Sequence, residues 1–181
     1  RWSGTSRAYG ALSRAAASSC APTFSSRLSS LSGVKDLIVS QPPRISLCMI
    51  VRNEEANLRA CLQPVMSLFD EVVIVDTGST DETRQVATDL GAKVADFEWC
   101  DDFSAARNAA VEEATGEWIF WLDADDRIDA ENLARLKDLF ERVRTQPANS
   151  RRRVYVMTTV SLSRHSSEPA TVISHARLFQ Q

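Results

Sequence analysis

Short apolar runs alternate with amphipathic stretches from about residue 45 onward. Ile45-Ser46-Leu47-Cys48-Met49-Ile50-Val51 has the length and density of a strand buried on both faces of a parallel sheet. Asn53 is placed to cap a following helix with Glu54 and Glu55 in its first turn, and Leu58, Cys61, Leu62 and Val65 recur at helical spacing until Pro64 shortens it. Glu71 to Val75 is a second strand, ending at Asp76-Thr77-Gly78-Ser79. Ser79-x-x-Glu82 reads as a capping box opening a helix that closes at Gly91. Lys93 to Phe97 is a weaker third strand, and an Ala-rich helix from Phe103 to Ala114 stops at Gly116. Trp118-Ile119-Phe120-Trp121-Leu122 is a fourth strand, running into Asp123-Ala124-Asp125-Asp126. Leu133, Leu136, Leu139, Phe140 and Val143 then mark one helix face.

Strands alternating with helices imply βαβ crossovers and an α/β fold, with a mostly parallel sheet and helices on both faces. The rhythm breaks near the end. Val154 to Met157 and Thr171 to Ile173 read as strands around a polar loop, Ser163 to Pro169, which predicts an antiparallel hairpin or an edge addition.

Composition adjusts this picture at the N-terminus. The 181 residues are 44% hydrophobic and 25% charged, ordinary for a globular domain, and the net charge of −3 gives no general attraction to nucleic acid. The charge is uneven: residues 1–35 hold five cations and no acid, which leaves −8 on the remainder. Residues 1–43 are therefore set apart as a basic leader rich in Ser, Ala and Arg, and residues 44–181 as the folded domain. Two readings stand for the leader, a disordered segment or an organellar targeting sequence. The chain opens on Arg, so a fragment of a longer product is expected. Four widely spaced cysteines without a CxxC pair suggest reduced thiols in the cytoplasm. No apolar run approaches the roughly 18–20 residues that span a bilayer, so no integral membrane segment is expected.

In an open parallel sheet, ligands bind beyond the carboxyl ends of the strands. Three of the four predicted strands end there in polar clusters: Arg52-Asn53-Glu54, Asp76, and Asp123/Asp125/Asp126. In extended backbone, Asp123 and Asp125 would point to the same side, and a divalent cation would relieve their repulsion. Hard oxygen ligands favour Mg²⁺ or Mn²⁺ completed by substrate phosphates and water. The alternative is a solvated turn before a helix capped by Asp129. Asp76 admits several partners: a base imide N–H, a ribose hydroxyl, or a turn role beside amides that receive an anion. Arg107 either pairs with Asp102 or Glu112 on the surface or aims its guanidinium at a phosphate or base. Trp118, Phe120 and Trp121 read as core, Arg151-Arg152-Arg153 as a solvated strand entrance, and His165 and His175 carry no assignment.

Four segments together resemble glycosyltransferase family 2, with its Rossmann-like GT-A nucleotide-diphospho-sugar transferase fold. They are Ser46 to Glu55, Val75-Asp76-Thr77-Gly78-Ser79-Thr80-Asp81, Ala106-Arg107-Asn108, and Gly116-Glu117-Trp118 leading to Leu122-Asp123-Ala124-Asp125-Asp126. The resemblance covers Ile45 to Phe140. It implies an inverting transfer from a nucleotide-diphospho-sugar donor to an acceptor that is a glycan, lipid or protein. Asp76 would hold the base or ribose, Asn53 and Glu54 would line the base pocket, Asp123 would contact ribose or metal, and Asp125 would be the main ligand to a divalent cation on the diphosphate.

Two departures are visible. Thr77 stands where many relatives carry a second acid. The general base, a carboxylate well beyond the DxD in such enzymes, is not identified: Glu168 is the sole acid after Glu141, and its Ser-rich loop gives no reason to choose it. With 55 residues after Asp126, the acceptor side is expected to be incomplete. A donor-binding fragment or pseudo-enzyme is therefore the alternative. A nucleotidyltransferase would need a Gly-rich loop after the first strand, and a dinucleotide-binding dehydrogenase a GxGxxG; neither is present.

Overall fold

The computed structural model describes residues 42–145, 152–162 and 169–181, all within the unit Ser40–Gln181. The leader expected over residues 1–43 falls, as far as residue 41, outside the described residues, as do Arg151, His165 and Glu168. Six strands form one sheet: β1 (Ile45–Val51), β2 (Glu71–Asp76), β3 (Lys93–Asp96), β4 (Trp118–Trp121), β5 (Val154–Leu162) and β6 (Pro169–Gln180). Their spatial order is β3-β2-β1-β4-β6-β5. The pairings among β1 to β4 are parallel, and those of β6 with β4 and β5 are antiparallel.

The pleat sorts each strand's side chains onto two faces. On one face, Ile45, Leu47, Met49 and Val51 of β1 join Trp118 and Phe120 under α1 (Glu55–Leu62), α2 (Thr83–Asp89) and α4 (Ala130–Arg144), through Leu58, Leu62, Ala87, Leu136, Phe140 and Val143. On the other face, Cys48, Val73, Val75, Ile119 and Trp121 pack beneath α3 (Phe103–Glu112) through Ala110, with Ala114 just beyond the helix. The aromatic run of β4 is thus core, as its pattern predicts. Each fully buried large apolar side chain contributes about 1.5–3 kcal/mol relative to exposure. Small Ala residues let α3 lie close to the sheet, where the Cys48 thiol donates to the Ala110 carbonyl at 3.4 Å.

Several local expectations are corrected. Asn53 does not cap α1: Glu54 is the N-cap and makes no side-chain cap bond, because Asn53 sits at φ 55° and its Oδ1 accepts instead from the Thr80 N–H at 2.8 Å. The Ser79-x-x-Glu82 capping box does not form either. Ser79 Oγ is taken by the Asn53 N–H (2.9 Å), the Glu82 N–H donates to Glu55 (2.9 Å), and Asp81 receives the Thr83 N–H (3.0 Å) at the start of α2. Long-range loop contacts outcompete the local caps at both positions. By contrast, α1 ends just before Pro64, and α2 closes at Gly91 with φ 84°. Asp129 caps α4 through the Asn132 N–H at 2.8 Å.

The closing hairpin is antiparallel, as expected, but much longer than the two apolar runs suggest. β6 lies between β4 and β5, so the last strand is internal to the sheet and not an edge addition. This inserts Arg177 beside the tip of β4.

Candidate functional site

The chain progresses from β1 through β2 to β3 on one side, then crosses to place β4 on the opposite side of β1. The carboxyl ends of β1 and β4 therefore flank a topological switch point, the place where such sheets open a ligand crevice. Asp76 ends β2, Arg52 to Glu54 follow β1, and Asp123 to Asp126 follow β4. All lie along one edge of the sheet. With neighbouring strands about 4.8 Å apart, the β2 and β4 tips stand roughly 10 Å from each other.

The loops at this edge brace one another. Thr77 N–H and Oγ1 both donate to the Val51 carbonyl at 3.0 Å. The Glu54 N–H donates to Thr83 Oγ1 at 2.7 Å, and Glu54 Oε2 accepts from Asn57 Nδ2 at 2.9 Å. Arg127 Nη2 reaches Asn57 Oδ1 at 3.2 Å, tying the loop after β4 to α1. Asn53 and Glu54 are thus brought beside the Asp76 turn. Arg52 is exposed and makes no hydrogen bond or ion pair among the described residues.

Asp76 is 2% exposed. Its Oδ1 accepts from the N–H groups of Gly78 and Ser79, each at 2.9 Å, and Gly78 permits that turn with φ 100°. Arg84 Nη1 stands 3.9 Å from the same oxygen. The other oxygen, Oδ2, is buried and has no partner. An unpaired buried acceptor costs about 1–3 kcal/mol, more for a charged group, so its retention points to a donor arriving from outside the chain.

The segment after β4 is a tight turn: the Asp126 N–H donates to the Asp123 carbonyl at 3.0 Å, and Asp126 Oδ2 accepts from the Asp123 N–H at 3.1 Å. Asp123 and Asp125 therefore do not lie on extended backbone, and the same-side argument from strand pleating does not apply to them. Three acids within four residues form the turn because Asp126 folds back to close it. Burial pushes the Asp126 carboxyl above its ordinary value, against the lowering effects of the Asp123 N–H and Arg177. Among the described residues no cluster of three or more His, Cys, Asp or Glu side chains could hold a metal. A cation here would depend on one or two carboxylates plus phosphate and water, a donor set that suits Mg²⁺ or Mn²⁺. Asp125, exposed and without a hydrogen bond or ion pair among the described residues, is placed to supply one.

Arg107 reaches this turn and not the helix surface. Its guanidinium carbon lies 5.3 Å from the centre of the Trp121 ring, and Nη2 stands 3.9 Å from Asp123 Oδ1. Asp102, one partner weighed for it, is occupied as the α3 N-cap, accepting from the Ser104 and Ala105 N–H groups. Cys61, whose thiol donates to the Asp123 carbonyl at 3.4 Å, is pushed by burial to a pKa of about 12 and stays protonated.

Sequence reasoning missed Arg177. It is 5% exposed and pairs with Asp123 Oδ2 at 2.9 Å and Asp126 Oδ2 at 3.0 Å. Its one signal was a lone cation in an otherwise apolar strand ending, Ala176-Arg177-Leu178-Phe179, which by itself names no partner.

The chain is similar to known proteins over the region that builds this site. A TPR repeat-containing protein of Synechococcus elongatus is 49% identical over 94 residues, covering 52% of this chain and 23% of that protein. The SPbeta prophage-derived glycosyltransferase SunS of Bacillus subtilis is 37% identical over 99 residues, covering 54% of this chain and 24% of its own length. The chain thus spans about a quarter of the length of these two relatives. Among solved structures, S. aureus TarS in complex with UDP aligns with a TM-score of 0.46 at 27% identity, over 55% of this chain and 32% of that one. The sequence model described as Glycosyl transferase family 2 matches residues 46–180, from β1 to the end of β6. Since that match takes in both the Asp76 turn and the acidic turn after β4, along three-quarters of the sequence, the chain belongs to glycosyltransferase family 2.

Proposed function

We propose that this domain binds a nucleotide-diphospho-sugar and serves, within its full-length protein, in inverting transfer of the sugar to an acceptor hydroxyl. The observation that carries this reading is Asp76 Oδ2, a buried carboxylate oxygen without a partner, separated from the acidic turn by one intervening strand, β1, along the crevice edge. A base imide N–H or a ribose hydroxyl satisfies that oxygen, while Asn53 and Glu54 border the same pocket. Asp123 and Arg107 stand over the opposite wall, where a guanidinium fork suits a diphosphate. The family membership and the SunS likeness favour glycosyl transfer over other nucleotide chemistry.

Asp125, with Asp123 at the same turn, is the proposed anchor for Mg²⁺ or Mn²⁺. When bound, the cation supplies charge stabilisation to the departing nucleoside diphosphate. In the transfer, the acceptor oxygen bonds to the anomeric carbon as the bond to the diphosphate breaks, and the acceptor proton passes to a base. No residue of this chain is assigned as that base. The acceptor is a glycan, lipid or protein hydroxyl. Among the described residues no helix is long and apolar enough to cross a membrane.

Calorimetry with UDP, GDP and their sugars, with and without Mn²⁺, tests the reading. Tight binding of one nucleotide that weakens without the metal is expected, and Asp125→Ala should remove that metal-dependent part. Affinity for none of these ligands at millimolar concentration would refute it. The second reading, a domain that holds the donor without activating an acceptor, is favoured by the unassigned base. Slow hydrolysis of the bound nucleotide-sugar to free sugar would argue against it.

A further inference from the structure

Arg177 makes three hydrogen bonds and one further ion-pair contact from its two terminal nitrogens. Nη1 meets Asp123 Oδ2 at 2.9 Å and the Trp121 carbonyl at 3.4 Å; Nη2 meets Asp126 Oδ2 at 3.0 Å and Thr159 Oγ1 at 3.2 Å. Both terminal nitrogens are thus engaged by acceptors from two strands and the acidic turn, in a site that is 5% exposed. A lysine, with three donors on one nitrogen, could not reproduce the fork. Asp123 is committed on its other side too, with Arg107 Nη2 at 3.9 Å from Oδ1. Asp126 Oδ2 carries a second bond from the Asp123 N–H. Asp125 alone of the three acids stands exposed with neither bond nor ion pair among the described residues.

We infer that Arg177 is a positioning residue that divides the acidic turn: it locks Asp123 and Asp126 onto one buried guanidinium and reserves Asp125 as the single carboxylate offered to a cation. The inference rests on the donor-site reading above and refines it. A cation approaching Asp123 would meet a carboxylate whose Oδ2 is already paired with Arg177 and whose Oδ1 faces Arg107, so two guanidinium charges oppose it there and not at Asp125. The strand that carries Arg177 thereby controls the metal chemistry of a loop 54 residues away. Through Thr159 the control extends to β5.

Binding of Mn²⁺ to the full chain in the presence of saturating UDP, which supplies the phosphate donors, followed by electron paramagnetic resonance, tests this. In the wild-type background Asp125→Asn should abolish measurable binding, whereas Asp123→Asn should cost no more than about tenfold, the through-space effect of one lost charge. Arg177→Gln should tighten Mn²⁺ binding about tenfold, since a nearby cation is lost and Asp123 becomes free to ligate. In that background Asp123→Asn should cost roughly a hundredfold, and this coupling is something a purely structural arginine would not produce. Equal costs of Asp123→Asn with and without Arg177, or Asp123→Asn as damaging as Asp125→Asn in the wild type, would overturn the inference. If Arg177→Gln does not fold, the comparison of Asp123→Asn with Asp125→Asn decides alone. Wild-type protein that binds neither Mn²⁺ nor UDP would bring down the donor-site reading, and this inference with it. Binding through Asp125 without the coupling would bring down the inference only.

Discussion

Arg177 on the last strand and Asp123 beyond the fourth form a 2.9 Å ion pair across 54 residues of chain, with the arginine side chain 7% exposed and the aspartate 40% exposed. The pair places a fixed positive charge under the acidic turn, at one wall of the crevice whose opposite side is the Asp76 turn. Four further consequences can be measured.

Asp76→Asn keeps the side-chain shape and an acceptor for the Gly78 and Ser79 N–H groups, but removes the charge from the orphaned Oδ2. Nucleotide affinity should fall at least about tenfold while the melting temperature holds or rises, because a buried unpaired carboxylate is costly in the empty fold. Calorimetry alongside a thermal melt separates the two effects. Unchanged affinity would show that Asp76 has a turn role alone.

Arg107→Lys retains the charge but loses the flat stacking on Trp121 and the planar fork. Nucleotide binding should weaken by roughly five- to tenfold, with stability changed by no more than about 1 kcal/mol, the scale of a half-exposed cation–π contact. A titration with UDP and Mn²⁺ reads the first, chemical denaturation the second.

Gly116→Ala tests the packing that seats β4 against β1. A Cβ there would lie 2.6 Å from Ser46 Oγ, 2.8 Å from Ser46 N and 2.9 Å from the Arg44 carbonyl, so backbone has to move. The expected loss is about 1–3 kcal/mol in denaturant unfolding, with the nucleotide affinity of the folded fraction retained.

Acid should destabilise the protein in part through Glu71. Its carboxylate is partly buried, which alone would raise its pKa; the Thr115 N–H and the hydroxyls of Ser46 and Thr115 outweigh this and hold it below 4.5. A carboxyl with a lowered folded-state pKa contributes stability that is fully present above the unfolded value and lost as pH falls through the folded one. Glu71→Gln should therefore be less stable than wild type at neutral pH. The gap should close as pH drops below about 4.5. A gap independent of pH would mean the hydrogen bonds act without the charge.

Much of the fold is legible in the chain because buried parallel strands leave short unbroken apolar runs. Ile45–Val51 and the run from Glu71 are such segments, and β2 extends the latter by one residue to include Asp76. The helices end at Gly91 and beside Pro64 for reasons of backbone geometry that any context would preserve. Asn53 and Ser79 do not cap their helices, since each side chain has two sets of partners and the neighbouring loop offers the better one.

Local pattern determined the α/β alternation, the core aromatics of β4 and the polar strand ends at Asp76 and Asp123, since each follows from periodicity within a few residues. Tertiary structure decided that the Asp76 turn braces on Val51 through Thr77, that Asp123 and Asp126 share Arg177, and that β6 runs between β4 and β5 with Arg177 at the tip. Those outcomes depend on strand order and on contacts 25 to more than 50 residues apart. A buried charge takes its partner from whichever strand the sheet sets beside it, and that neighbour is not written next to it in the chain.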